Sequence, residues 1–364
     1  MGASESPTQS PTEIFDVLVI GAGPTGMACA IEAQRAGFRS VLVDKGCLCN
    51  SLFHYPAHMT FFTTSELLEI GDIPFPSTHA KPTRDEALEY YRKVAMFYKL
   101  DIRTYERVEE VSGKDLNFTI RTRDEFGRGR TYTTRKVVVA TGYYDLPNMM
   151  NIPGEDLPKV HHYYNDPHPF YGLDVVVIGG KNSAAIAALE LWRHGARVTV
   201  VYRGSAMQPH IKYWILPDIE NRIKNGQIAA YFNTTVTRID PDTVTLSTPV
   251  PVLSRLIPSR MLPSRNDAGT RVIKNQTVFA MTGYLPDFEF LQSLGVRITG
   301  EDRRPVCDPR SLESNVPGLY LAGVIVAGDS THEIFIENGR FHGRQIADDL
   351  KVKLLSSAPQ LARV

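Results

Sequence analysis

The sequence predicts an α/β fold built from two Rossmann-like dinucleotide-binding domains. Three observations predict it. Two runs of strand, glycine loop, alanine-rich helix and strand begin near residues 15 and 174. Three more apolar strands close on glycines, at Gly142, Gly283 and Gly323. With 364 residues the chain exceeds a single core of usual size. Hydrophobic residues at 43% and charged residues at 22% exclude wholesale disorder. Lys and Arg (40) balance Asp and Glu (40), so the basic excess of a nucleic-acid binder is missing.

Taken in chain order, residues 1–13 are rich in Ser, Thr and Pro and lack a basic and then apolar leader, so a flexible tail is expected. The run 15–20, FDVLVI, is a β-type strand leading into Gly21-Ala-Gly23-Pro24-Thr25-Gly26. Gly21 permits a tight turn, Gly23 lets the backbone approach a pyrophosphate, and Gly26 allows close helix packing. The following helix start stabilises an anion. A second strand, 40–43, ends on Asp44, eighteen residues after Gly26. An acid there accepts hydrogen bonds from a ribose diol. The longest uncharged apolar stretch, 17–31, is broken by glycines and short of the ~20 residues of a membrane span. A soluble protein with no membrane and no nucleic-acid partner is therefore expected.

The second run is 174–178, DVVVI, followed by Gly179-Gly180-Lys181-Asn182-Ser183-Ala184 and an alanine-rich helix up to Gly195. Its next strand, 197–202, ends on Arg203 instead of an acid. An arginine suits the extra 2′-phosphate of NADPH, which an acid would repel. Lys212 is a plausible second phosphate partner. Lys181 stands where the fingerprint has its second glycine. The strands 135–140, 277–280 and 319–322 end in glycine, which lets a flat ring or phosphate approach the backbone.

Four cysteines, Cys29, Cys47, Cys49 and Cys307, are too few for a disulfide scaffold, and a reducing cytoplasm is the expected compartment. Cys47 and Cys49 form the only close pair. Beside the expected cofactor pocket such a pair could relay electrons, although cysteines so close rarely bridge without strain, and the sequence leaves their redox role open. His161, His162 and His168 have poor metal spacing, no metal is expected, and the 161–170 stretch is read as an interdomain connector. The proline- and arginine-rich loop 248–270 reads as a solvated insertion.

From residue 15 to about 350 the chain resembles the thioredoxin-reductase-like flavoproteins with two dinucleotide-binding domains. More closely, it is similar to the bacillithiol-disulfide reductase family. The matching strings are YPAHMTFFTTS (55–65), GGKNSA (179–184), YWILP (213–217) and FIENGRFHG (335–343). The resemblance implies an NADPH-dependent FAD enzyme that passes electrons to a small-molecule or small-protein acceptor, with a low-molecular-weight disulfide such as bacillithiol disulfide foremost. It implies a homodimer or homotetramer, with an NADPH domain (156–282) inserted into an FAD domain (14–155 plus 283–364). The junction is the string IPGE at 152–155.

The candidate FAD contacts are then Gly21, Gly23, Pro24, Thr25, Gly26, Asp44, Lys45, Asn50, His58, Thr60, Phe61, Thr141, Gly142, Gly323 and Glu337. The candidate NADPH contacts are Gly179, Gly180, Lys181, Asn182, Ser183, Arg203, Lys212 and Gly283. No catalytic side chain is assigned, since the flavin itself carries the chemistry by hydride transfer. His58 stands by resemblance near the ring, although an exposed histidine is the plainer reading.

Three departures bear on function. The redox-active C-x-x-C of thioredoxin reductases is missing from 161–170, and thiol–disulfide exchange needs a thiolate. Relatives often carry a cysteine in the first glycine loop, where this chain has Thr25. The acid after the third glycine is replaced in Gly323-Val324, with Gly328-Asp329 as a later substitute. Two alternatives stand beside the leading reading: a ferredoxin- or flavodoxin-NADP reductase, and a non-catalytic flavin or NADPH sensor.

Overall fold

The structure, a computed structural model, describes residues 13–249 and 269–355. Residues 1–12 of the expected N-terminal tail, most of the 248–270 loop and residues 356–364 lie outside them. The described residues divide into two compact units, one of 13–54, 58–146 and 284–355 and one of 55–57, 147–249 and 269–283. Both are α/β, as the two glycine-loop runs predict.

The first unit begins with β1 (Glu13–Ile20), α1 (Pro24–Arg35), β2 (Ser40–Val43), the short α2 (Asn50–Phe53) and α3 (Arg84–Tyr98). It continues through β3 (Ile102–Arg103), β4 (Glu106–Lys114), β5 (Asn117–Asp124) and β6 (Gly129–Val139). α3 starts on a capping box in which Thr83 and Glu86 satisfy each other's backbone N–H groups. The chain passes β7 (Leu146–Pro147) into the second unit.

That unit contains β8 (Val160–His161), β9 (Asp174–Ile178), α4 (Asn182–Arg193), β10 (Arg197–Val201), α5 (Leu216–Lys224) and β11 (Ala229–Tyr231). An antiparallel sheet of β12 (Thr235–Asp240), β13 (Thr243–Thr248) and β14 (Gly269–Lys274) follows, and then β15 (Thr277–Ala280). The chain returns to the first unit through β16 (Tyr284–Leu285), α6 (Phe288–Ser293), β17 (Ile298–Thr299), β18 (Arg304–Pro305), β19 (Leu319–Leu321), α7 (Ile336–Gly339) and α8 (His342–Leu350).

In the first unit the main sheet runs β3-β2-β1-β6-β5-β4, with β19 also on β6. β6 changes partners along its length. Residues 129–134 pair antiparallel with β5, and 137–139 pair parallel with β1 on one side and β19 on the other. The parallel strands end together, with Ile20 opposite both Val43 and Val139, and Val139 opposite Leu321. The residues after each strand therefore share one sheet edge, the usual ligand edge of an open α/β sheet. Phe15, Leu18, Val41, Val137 and Leu319 fill the core on one face, each almost fully buried. Such continuous apolar strands are what a sheet covered on both faces requires.

α1 lies close to that sheet because its facing residues are small. A Cβ on Gly26 would come 2.1 Å from the Gly21 carbonyl oxygen, and one on Gly343 in α8 would come 2.6 Å from that of Ala28. Only glycine allows both approaches.

The second unit repeats the plan with β11-β10-β9-β15-β8, where Ile178 stands opposite Val201 and Ala280. Here the structure corrects one expectation. The 161–170 stretch is not a free connector, because His161 sits in β8, which pairs parallel with β15. The His161 and Phe170 rings pack on Phe279, at 5.1 and 5.0 Å between centroids. Burial pushes the His161 imidazole below its ordinary pKa, with His162 adding to the effect. Among the described residues no helix is long and apolar enough to cross a membrane, and no group of His, Cys, Asp and Glu could hold a metal.

Candidate functional site

The edge of the first sheet carries most of the residues singled out in the first glycine run. Gly21 turns the chain with φ +109°, and a Cβ there would come 2.4 Å from the Ala140 carbonyl oxygen. Its N–H donates to Val43 at 2.8 Å, which joins the loop to β2. Asp44 then holds the loop from below. Its Oδ2 accepts the Ala22 N–H and its Oδ1 the Gly46 N–H, each at 2.8 Å. Burial raises the carboxyl above its ordinary pKa, and the two N–H bonds oppose that shift. Two charge-assisted bonds make this acid part of the loop's architecture.

A groove runs along this edge past Gly21, Asp44, Lys45, Thr141 and Gly142. It also takes in Glu106, Arg107, Val108, Tyr143 and Asp145, none of them expected from sequence. Lys45 pairs with Asp145 at 2.9 Å across the mouth. Glu106 is buried, accepts from the Tyr132 hydroxyl at 2.6 Å and from Thr122, and pairs with Arg130 at 3.3 Å. Its N–H donates to the Asp44 carbonyl at 2.8 Å, so this network carries one wall of the groove.

A second cluster gathers behind the loop. Thr25 lies against Gly323 and Gly339, with its Oγ1 3.4 and 3.2 Å from where their Cβ atoms would stand. His342, the first residue of α8, accepts the Gly323 N–H on Nδ1 at 3.0 Å. That bond leaves the ring proton on Nε2. Burial alone lowers the His342 pKa below its ordinary 6.5. Sequence reasoning missed His342, because nothing local joins it to a glycine nineteen residues earlier. Asp329, the substitute acid, is engaged elsewhere, with both its oxygens on Arg303 at 2.7 and 2.8 Å.

The remaining residues are dispersed. Asn50 packs its side chain against Gly46, and Ser51 Oγ lies 3.8 Å from the position of a Gly142 Cβ. Thr60 bridges to Thr83, and the N–H of buried Phe61 donates to the Pro82 carbonyl at 2.9 Å. These bonds tie 58–61 to the start of α3, and His58 is exposed. Glu337 is half-buried in α7, close enough to Tyr91 to help raise that phenol.

All four cysteines are free thiols. Cys29 is buried and pushed up to about 12 by burial and by Glu32. Cys49 is buried with its thiol against the Met27 sulfur at 4.0 Å, and burial raises it well above 9.0. Cys47 points to Asn50 Oδ1 at 3.7 Å and is also raised, by burial and then by Asp44. Cys307 is raised by burial and Asp308. All four favour the unreactive thiol over the thiolate.

In the second unit, Gly179 (φ +142°) repeats the tight turn against the Met281 carbonyl, 2.6 Å from a would-be Cβ. Ala184 occupies the third-glycine position and is buried. Lys181 and Ser183 are exposed at the start of α4. Asn182 Oδ1 accepts the Lys212 N–H at 3.0 Å, which joins two residues that sequence reasoning placed thirty positions apart. Arg203 is exposed, and among the described residues no acid is paired with it. Gly283 is exposed three residues after β15, with φ +97°.

Both sites fit a dinucleotide. Neither α1 nor α4 has a side-chain cap, so their first N–H groups are not taken by their own N-cap residue. A Cβ on Gly23 would have nothing within 4 Å, so the space over the first loop is open.

The family model described as "Pyridine nucleotide-disulphide oxidoreductase" matches residues 18–323. The chain is 45% identical over 334 residues to the Bacilliredoxin reductase Bdr of Bacillus subtilis, covering 92% of this chain and 96% of that one. The solved structure of Bacillithiol Disulfide Reductase Bdr (YpdA) from Bacillus cereus superposes with TM-score 0.86 at 44% identity, covering 94% of this chain and all of that one. At 22% identity, T. acidophilum thioredoxin reductase shares the fold, with TM-score 0.70 over 94% of this chain and 99% of that one. The chain belongs to the pyridine nucleotide-disulphide oxidoreductase family and is a flavoprotein reductase of thioredoxin-reductase-like fold.

Proposed function

We propose that the protein oxidises NADPH and reduces a low-molecular-weight disulfide such as bacillithiol disulfide, with FAD held by the first unit and NADPH by the second. The observation that carries the cofactor assignment is the contrast at the two strand ends. One ends on Asp44, suited to a ribose diol, and the other on the exposed Arg203, suited to a 2′-phosphate. The acceptor rests on the two solved relatives named bacillithiol disulfide reductase, at 44 and 41% identity. A homodimer or homotetramer in the cytoplasm is part of the same reading.

When bound, FAD supplies the two-electron chemistry, so that NADPH, a proton and one disulfide become NADP⁺ and two thiols. The chain's own residues bind and orient. Asp44 fixes the loop that faces the pyrophosphate and keeps its remaining lone pairs for the ribose. Thr25 fills the place between Gly323 and Gly339 and, having no thiol, forms no mixed disulfide. His342 holds the Gly323 peptide in place. With every thiol buried or raised in pKa, the protein contributes no disulfide of its own, and the acceptor is reduced at the flavin.

The test is anaerobic turnover of the flavin-loaded protein with NADPH, offering bacillithiol disulfide and, separately, an oxidised bacilliredoxin. Two new thiols per NADPH from bacillithiol disulfide alone is the expected result. Turnover only with the protein disulfide would move the acceptor to a protein, as the name of the B. subtilis relative would have it. Turnover with neither, but with ferredoxin, would replace the disulfide reading by a ferredoxin-NADP reductase.

A further inference from the structure

Arg203 and Lys212 lie at the two ends of a segment without regular secondary structure, 203–212 in the second unit. A loose loop would have to be ordered each time it met a ligand, at a cost to affinity. This loop is already fastened to the glycine turn, at two places.

The first fastening is Tyr202. Its ring lies over Gly180 and Gly204, so that a Cβ on either would come 2.5 or 2.4 Å from ring carbons. Its hydroxyl accepts from Gln208 Nε2 at 2.6 Å, and the Gln208 N–H donates to the Gly180 carbonyl at 2.9 Å. Tyr202, Gln208 and Gly180 therefore close a ring of contacts between the loop and the turn. The second fastening is Asn182, whose Oδ1 accepts the Lys212 N–H at 3.0 Å. Met207 and Ile211 are buried and anchor the loop between them.

We infer that Tyr202, Gln208 and Asn182 are positioning residues that set the preference for a 2′-phosphorylated nicotinamide dinucleotide by holding Arg203 and Lys212 beside the glycine turn. The inference rests on the NADPH reading given above. The three residues act through the cations. Asn182, expected as a cofactor contact, also has its side-chain oxygen on the loop. Arginine loses little freedom per bond once its base is fixed, so a fastened loop turns one exposed cation into a selective one.

The experiment measures dissociation constants for NADP⁺ and NAD⁺ by calorimetry on the flavin-loaded, full-length protein, without turnover. Tyr202→Phe keeps the ring and removes the hydroxyl, Gln208→Ala removes its partner, and Asn182→Ala opens the second fastening. Each should weaken NADP⁺ by about 3- to 10-fold, the worth of one net hydrogen bond, and leave NAD⁺ within about twofold. The Tyr202→Phe/Gln208→Ala double variant should be no weaker than either single one, since both remove the same bond. Equal losses for NADP⁺ and NAD⁺, or no loss for any variant, would overturn the inference. Should one variant fail to fold, the other two decide alone. Arg203→Ala separates the two layers of argument. If it leaves the NADP⁺/NAD⁺ ratio unchanged, the NADPH reading falls. If it collapses the ratio while the positioning variants do not, only the positioning role falls.

Discussion

The first glycine loop is held by a carboxylate, the second by an aromatic ring and two side-chain amides. In the first unit Asp44 places one oxygen on Ala22 and the other on Gly46. In the second, Tyr202, Gln208 and Asn182 do the holding, and among the described residues Arg203 carries no such bond. On the proposed cofactor reading, the same local sequence pattern combines architecture and recognition in one residue at one site and separates them at the other. A residue released from structural duty is free to set cofactor preference. A residue that holds the loop is not.

The comparison breaks most visibly at Asp44. Asp44→Ala removes two bonds to a charged acceptor and should cost about 2–3 kcal/mol of stability. The purified protein should also lose most of its flavin, read as the ratio of flavin to protein absorbance. Arg203→Ala is the counterpart. It should leave the melting temperature unchanged, as surface substitutions do, and weaken NADP⁺ by about 10- to 100-fold with NAD⁺ unaffected. A loss of stability at Arg203 comparable to that at Asp44 would end the distinction between the two loops.

A smaller effect concerns pH. His342 has a folded-state pKa below 6.5, so the unfolded chain binds its proton first as pH falls. The stability from the neutral ring is present above 6.5 and is lost as pH drops through the folded value. Thermal melts should therefore fall as the pH drops from 6.5 toward the folded-state value. The slope should flatten in His342→Asn, whose amide oxygen can still accept the Gly323 N–H without titrating. Smallest of all is the thiol response. Cys29 and Cys49 should resist a thiol reagent in the native protein, and full reduction by NADPH should expose no new thiol. All four cysteines should react once the chain is unfolded.

The strand–glycine–helix runs were legible because they are local: one turn needs φ beyond +100° at Gly21, and one helix needs Gly26 to reach the sheet. The strand ends could be aligned from the same logic. What stayed hidden meets only in space. Glu106 is tied to Tyr132 across two strands, His342 to Gly323, and Tyr202 to Gln208 around a loop. The His161 stretch was misread because its prolines and histidines look like a linker. A two-residue strand with its imidazole laid on Phe279 leaves no periodicity to detect.

The most direct test of the whole account is an anaerobic titration of the purified protein, first with NADH and then with NADPH, following the oxidised-flavin band and the thiol count together. The account predicts FAD as the bound flavin. It further predicts bleaching complete at one NADPH per flavin, little bleaching by equal NADH, and no thiol gained. Bleaching that needs two equivalents of NADPH and yields new thiols would contradict it, and so would a protein that neither nucleotide reduces.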